Sequence, residues 1–249
     1  ARIKVLIHTE GIESFRNKVE EELKEEWAQS YDDREELLFF DEETADAPAL
    51  PEHYDPRGQD DPAFVIWKGT NVVPQTQSGY NFVSVTVPHG DLAPEQFRGL
   101  AKIARTRSSQ RVRTTPEQNL MFRWVPDGYL YDLYQDLKAL NLAEAGVNGI
   151  TDVTSCPGTD SCKLGITSSM GLSNALSVAL KNPNGNASLL NDPLIKLMHI
   201  KMSGCPNGCG RNHVADIGFH GAAMKGPGGT QIPAYELFLG GSYENADVR

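Results

Sequence analysis

Several features that mark common protein classes are missing from this sequence of 249 residues. No apolar run approaches the roughly 18 residues that a transmembrane helix needs, and no basic stretch followed by an apolar one opens the chain as in a signal peptide. Only four residues are cysteine, which is few for a secreted disulfide scaffold. We therefore expect no membrane-bound part, and a location in the cytoplasm or in an organelle stroma.

An excess of positive charge is missing as well. The net charge is −10, and residues 10–61 alone contain 19 acidic and 5 basic residues. A nucleic-acid-binding protein usually presents a basic face, so this balance argues against a nucleic-acid partner. The acidic segment is typical of a solvated surface, whereas the mildly basic remainder suits a small anion or an acidic protein.

The first 78 residues predict a helical and acidic linker arm. Apolar residues recur every three or four positions between Ile12 and Leu23, which predicts a helix that extends to Trp27. The acidic residues 31–61 include prolines at positions 48, 51 and 56 and predict a connector with little regular structure.

Residues 79–148 predict an α+β layer with the element order β-α-β-β-α, a ferredoxin-like half-domain. Strands are expected at 82–87, 111–115 and 120–125, where β-branched and apolar residues are frequent. Pro94 is expected to begin the first helix, and a second amphipathic helix follows residue 129. The residues predicted to face inward from the first helix are Phe97, Leu100, Ile103 and Ala104.

Residues 149–249 predict a mixed α/β domain that surrounds the cysteines. A loop with the first two cysteines is expected to lead into a helix at residues 163–180. A strand at residues 195–202 is expected to run into the second pair, with further strands at 214–219 and 235–239.

The four cysteines form two close pairs, with spacings C-x5-C and C-x3-C and 42 residues between the pairs. They are Cys156, Cys162, Cys205 and Cys209. Loops rich in glycine and proline surround them, as suits a 4Fe–4S cluster, which four thiolates hold and backbone N–H groups approach. A zinc site, two disulfides and four unrelated buried thiols are the alternatives. The nearby His199, His213 and His220 are interpreted as structural, not as metal ligands.

Three motifs resemble those of the assimilatory sulfite and nitrite reductase hemoproteins, and together they cover residues 80–240. The second cysteine pair stands in Ser203-Gly-Cys-Pro-Asn-Gly-Cys209 and is followed, after six residues, by Asp216-Ile-Gly-Phe219. The first pair stands in Cys156-Pro-Gly-Thr-Asp-Ser-Cys162-Lys-Leu-Gly-Ile-Thr167, and Arg113-Thr-Thr-Pro-Glu-Gln-Asn-Leu120 precedes both.

The resemblance implies one half of a pseudo-symmetric reductase, with a siroheme between the halves. It implies that Cys209 bridges a cluster iron and the siroheme iron, while Cys156, Cys162 and Cys205 hold the other three irons. Asn207 and Arg211 are expected to contact the cluster or the macrocycle, or else to serve a turn and an ion pair. Thr115, Gln118 and Asn119 lie in a loop that resembles one approaching the cofactor.

The function implied is the six-electron reduction of sulfite to sulfide, or of nitrite to ammonia, with ferredoxin or a flavoprotein as electron donor. This chain resembles the C-terminal, cluster-carrying half only, and it is expected to be truncated and to need the missing N-terminal half. Ser84 and Thr86 stand where the other half would carry basic residues for the anion. An iron–sulfur electron-transfer module, or a non-catalytic half without its own substrate site, is therefore the alternative.

Overall fold

The chain separates into two compact units, Ala1–Ala45 and Asp46–Arg249, in the computed structural model. The structure describes residues 3–30, 40–51, 57–182, 184 and 186–241. Among these residues, none of the helices combines the length and the apolar character that crossing a membrane requires.

The first unit is helical, as the periodicity of its apolar residues predicts, but it contains several short helices. These are α1 (Ile3–Glu10), α2 (Ile12–Glu22), α3 (Glu26–Ser30) and α4 (Phe40–Ala45). Gly11 separates α1 from α2 because its φ of 85° lies in a region that a helix cannot use. Helix α4 lies within the predicted connector, of which residues 31–39 and 52–56 are outside the described part.

The first sheet of the second unit confirms the predicted β-α-β-β-α order and precedes it with one more helix and strand. Its elements are α5 (Pro62–Asn71), β1 (Val72–Pro74), β2 (Tyr80–Val85), α6 (Pro94–Arg107), β3 (Val112–Thr114), β4 (Leu120–Pro126) and α7 (Leu130–Ala139). The strands are antiparallel in the order β1-β2-β4-β3.

A continuous apolar core joins this sheet to its helices. Val83, Val85 and Phe122 alternate inward from the strands and meet the buried leucines of α6 and α7. Trp67 of α5 is fully buried in the same core, although the sequence places it in the linker arm. The prediction for Phe97 is wrong, since 58% of this residue is exposed, whereas Leu100, Ile103 and Ala104 are buried as predicted.

The second sheet confirms the predicted mixed α/β architecture. Its elements are β5 (Thr154–Ser155), α8 (Ser169–Lys181), α9 (Pro193–Leu197), β6 (Ile200–Ser203), β7 (Ile217–Lys225) and β8 (Gln231–Leu239). Strands β5, β6 and β7 are parallel, and β8 returns antiparallel to β7. Helix α8 packs apolar side chains, among them Leu172 and Leu176, on the core around Met202.

Several element boundaries in this part differ from the prediction, among them both ends of β7 and the start of β8, and a helix cap causes two of the differences. The helix predicted from residue 163 begins at Ser169, because the Ser168 hydroxyl caps it by accepting from the Gly171 N–H at 3.2 Å. The strand predicted from residue 195 begins at Ile200, because Asp192 caps the short helix α9 that precedes it.

Candidate functional site

Both cysteine loops begin at the carboxyl ends of adjacent parallel strands. Strand β5 ends one residue before Cys156, and β6 ends two residues before Cys205. The register pairs Ser155 with Met202, and the Cys156 N–H donates to the Met202 carbonyl at 3.1 Å. Parallel pairing thus brings two segments that are distant in sequence to the same edge of the sheet, where α/β sheets usually bind ligands.

Gly204 joins the two loops directly. Its N–H donates to the Cys156 sulfur at 3.1 Å, and its carbonyl accepts from the N–H groups of Ile166 and Thr167 at 2.8 and 3.1 Å. A Cβ at this position would lie 2.6 Å from the Gly158 Cα, so only glycine allows the backbones to approach this closely.

None of the four cysteines forms a disulfide, and their surroundings differ. Cys156 is partly buried, with its sulfur 3.4 Å from the Ser169 hydroxyl, and Cys162 is also partly buried. Cys205 is buried, and its sulfur accepts from the Asn207 side-chain amide at 3.2 Å. Cys209 is exposed. Amide donors therefore already point at two of the four sulfurs.

The structure brings the two cysteine loops together but does not group their thiols into a finished metal site. In the described part of the chain, no three Cys, His, Asp or Glu side chains are arranged to hold a metal ion. The donor set nevertheless fits an iron–sulfur cluster: four thiols without disulfides, on two adjoining glycine-rich loops, with N–H donors aimed at sulfur. Metal binding itself contributes the free energy that gathers such ligands.

Two buried polar side chains, Ser203 and Asn212, stabilise the backbone of the second cysteine loop. The Ser203 hydroxyl accepts from the Gly210 N–H and donates to the Asn212 side-chain oxygen, both at 2.9 Å. Ser203 and Asn212 are almost completely buried. Neither residue was predicted from the sequence as a support, although polar residues within an otherwise apolar and tightly turning segment signal this kind of role.

The three polar residues of the 115–119 loop, which were predicted to approach the cofactor, are engaged with protein groups. The Gln118 amide pairs with both backbone groups of Ser155, at 2.8 and 3.2 Å. Asn119 accepts from the Val87 N–H at 2.9 Å and donates to the Asp152 carboxylate at 2.6 Å. The Thr115 hydroxyl accepts from the Asn119 N–H at 3.2 Å. Their contact with a cofactor stays a prediction.

Arg211 also crosses to this loop. Its guanidinium donates to the Pro116 carbonyl and to the Glu117 carboxylate, the latter at 3.2 Å. The same carboxylate lies 3.8 Å from the ammonium nitrogen of Lys201, whose side chain is almost fully buried. Glu117 and Lys201 were not predicted from the sequence, because nothing local connects two residues on different sheets. Arg211 thus makes an ion pair with Glu117, and its contact with the cluster or the macrocycle stays a prediction.

The surroundings shift the pKa of two side chains in this region, Lys201 and Asp152. Burial, followed by the nearby charge of Arg211, lowers the pKa of Lys201 below its ordinary value, against the opposing effect of Glu117 and Asp152. Burial raises the pKa of Asp152 above its ordinary value of 3.8, against the hydrogen bonds from Asn148 and Asn119.

Replacing Asp152 with asparagine is expected to flatten the pH dependence of stability at mildly acidic pH. Because the pKa of Asp152 is raised in the folded state, the folded chain binds this proton more strongly than the unfolded chain does. The free energy of unfolding therefore falls as the pH rises from about 4 through the raised pKa. Urea unfolding of Asp152→Asn across this range should show a smaller fall, with the exposed Asp60→Asn as control. An unchanged slope in Asp152→Asn would contradict the assignment.

The three histidines near the second pair make structural contacts. The His199 ring lies 3.1 Å from the Asp216 carboxylate, and the His220 ring lies 3.1 Å from that of Glu236. His213 packs edge-on against His220, with ring centroids 6.4 Å apart. These contacts anchor strands β6, β7 and β8 to one another and to the turn after Cys209.

Comparison with known proteins finds one family model that matches the first sheet, and relatives that are named either nitrite reductase or sulfite reductase. Residues 73–140 match a family model described as the nitrite/sulfite reductase ferredoxin-like half domain. The ferredoxin–nitrite reductase of Synechococcus elongatus is 32% identical over 170 residues, which are 68% of this chain and 31% of that protein. Sulfite reductase (ferredoxin) 1 of Mycolicibacterium paratuberculosis is 28% identical over 242 residues, which are 97% of this chain and 38% of that protein.

A solved structure agrees with these relatives. The NirA protein of Mycobacterium tuberculosis superposes with a TM-score of 0.56 and 26% identity, over 79% of this chain and 33% of that one. The chain thus spans about a third of the length of the relatives that it matches.

Proposed function

Because the chain belongs to the family of nitrite and sulfite reductases, we propose that it is the part of such a reductase that carries a 4Fe–4S cluster beside a siroheme. The proposed reaction is the six-electron reduction of sulfite to sulfide, or of nitrite to ammonia. The chain spans only about a third of its relatives, so we infer that the missing half completes the active site.

The junction at Gly204 is the observation that carries this proposal. It holds the loop of Cys156 and Cys162 against the loop of Cys205 and Cys209, so that four cysteines outside any disulfide, from two segments, share one edge of the second sheet. A structural zinc site would use the same residue type, but the C-x5-C and C-x3-C spacings are unusual for zinc and match the reductase motifs.

We propose that Cys156, Cys162, Cys205 and Cys209 hold the cluster, and that Cys209 also contacts the siroheme iron. Cys209 suits this second role because it is exposed, whereas Cys205 is buried. When bound, the two groups store and deliver single electrons to the oxyanion. The chain's own part is to stabilise the thiolates: the Gly204 N–H and the Asn207 amide donate to sulfur and so favour the more negative, reduced state.

The face of the first sheet opposite its helices supplies positive charge that suits an anionic cofactor or substrate. Arg113 faces Met121 across strands β3 and β4, on the face opposite the buried Phe122. Arg123 lies on the same face, with its guanidinium carbon 5.7 Å from the centre of the Phe82 ring.

The proposed partners follow from the names of the relatives. Ferredoxin appears in the names of both the nitrite and the sulfite reductases, so we propose ferredoxin, or a flavoprotein in its place, as electron donor. Bacterial and chloroplast relatives both match, which supports the cytoplasm or an organelle stroma as the compartment.

Anaerobic reconstitution of the chain with iron and sulfide tests the proposal. We expect about four iron atoms per chain and the visible absorption of a cubane cluster. A matched control is Ser161→Ala, which removes the hydroxyl of an exposed residue next to Cys162 that is no proposed ligand and should leave the iron content unchanged. Binding of one zinc ion without visible absorption would support the zinc alternative and contradict the cluster. Siroheme bands in the full-length reductase then separate a complete reductase from an electron-transfer module.

A further inference from the structure

One loop of the first sheet, residues 115–119, contacts both cysteine loops through different side chains. Gln118 pairs with the backbone of Ser155, next to Cys156. Glu117 accepts from Arg211, two residues after Cys209, and the Pro116 carbonyl accepts from the same guanidinium. The position of each cysteine loop is therefore tied to the first sheet by its own contact.

The Glu117 carboxylate lies between two cations. Arg211 is 3.2 Å from one of its oxygens, and the Lys201 nitrogen is 3.8 Å from the same oxygen. The Lys201 side chain is 3% exposed, and those of Glu117 and Arg211 are 24% and 34% exposed. Charge pairs that are shielded from water in this way interact more strongly than surface pairs. Without the carboxylate, two like charges would face each other next to the second cysteine loop.

Arg211 is also the residue at which the second cysteine loop turns. Its φ of 56° lies in the left-handed region, which a non-glycine residue adopts only when its surroundings hold it there. Its N–H donates to the Gly208 carbonyl at 2.9 Å and closes the turn around Cys209. A contact that fixes the Arg211 side chain thus helps to fix the backbone on which Cys209 stands.

We propose that Glu117 is a positioning residue for Cys209, acting through Arg211 and neutralising Lys201. It sets the second cysteine loop independently of the first, which Gln118 sets. The identity of the metal group that Cys209 binds rests on the proposed function. The positioning of Cys209 by Glu117 depends only on this chain's own residues.

The test compares Glu117→Ala, Glu117→Gln and Gln118→Ala in the cofactor-free chain. Amide hydrogen exchange of Gly210 and Arg211 reports on the second loop, that of Ser155 reports on the first, and N-ethylmaleimide labelling of Cys209 and Cys156 is followed by mass spectrometry. In Glu117→Ala we expect amide exchange at Arg211 to be about tenfold faster, because one charge-assisted hydrogen bond is lost, and we expect faster labelling of Cys209. Exchange at Ser155 should change by less than about twofold.

Gln118→Ala is the matched control, since it alters the neighbouring residue of the same loop. It should accelerate exchange at Ser155 and labelling of Cys156 and leave Arg211 nearly unchanged. Glu117→Gln keeps the size of the side chain and an acceptor for Arg211 but removes the charge between Arg211 and Lys201, so its exchange rate should lie between those of wild type and Glu117→Ala, whereas a role of bulk alone would leave it at the wild-type rate.

Equal acceleration of both loops by both substitutions, or unchanged exchange at Arg211 in either Glu117 variant, would overturn the proposal. The iron content after reconstitution is measured separately in the same samples. If the wild-type chain fails to take up iron, the proposed function is contradicted while the exchange result still decides the role of Glu117.

Discussion

Cys209→Ser is expected to abolish electron transfer between cluster and siroheme in the full-length reductase. Cys209 is the exposed cysteine of the second pair and is the one proposed to contact both metal groups, and an alcohol is a much poorer ligand for iron than a thiolate. Substitutions around metal ligands cost about 10- to 100-fold, so we expect this replacement of a ligand to reduce activity by more than about 100-fold. Absorption and electron paramagnetic resonance spectra should lose the signature of magnetic coupling.

Cys162→Ser provides the comparison, because it makes the same chemical change at a cysteine proposed to contact the cluster alone. It should lower the iron content, while the thiol that would contact the siroheme, Cys209, stays in place. If Cys209→Ser instead transferred electrons into the siroheme as the wild type does, the bridging assignment would be wrong.

Gly204→Ala is expected to separate the two cysteine loops and prevent cluster binding. A Cβ here would lie 2.6 Å from the Gly158 Cα and 2.8 Å from the Thr167 carbonyl oxygen, both backbone atoms that cannot rotate away. Overpacking of this kind costs about 1–3 kcal/mol, and here it also strains the hydrogen bond to the Cys156 sulfur. The free energy of unfolding from urea titrations, together with the iron content after reconstitution, measures both effects.

Gly69→Ala is the control for this substitution. Gly69 lies in helix α5, and a Cβ there would meet nothing within 4 Å beyond the helix itself, so alanine should stabilise the helix by up to about 1 kcal/mol. A Gly204→Ala chain with wild-type stability and full iron content would show that the close approach at Gly204 is unnecessary.

Much of the first sheet was predictable, because its elements follow local rules. Burial alternates along β2, as in a strand with one covered face, and the buried leucines of α7 recur at helical spacing. A proline marks the first residue of α6. Helix α5 was missed because the acidic and proline-rich residues before it dominate the composition, although Asp61 and Pro62 are an ordinary helix start. Phe97 was misplaced because helical periodicity does not show where the covered face ends.

For the candidate site, the sequence by itself determined the family and predicted which residues serve as ligands, since the cysteine spacings and their glycine-rich surroundings are local features. Only the tertiary structure decided which groups support those cysteines. Parallel pairing of β5 with β6 brings Gly204 to Cys156, and Arg211 reaches a loop 95 residues away. Such contacts depend on how two sheets pack, and neither the periodicity nor the motifs of a chain record that packing.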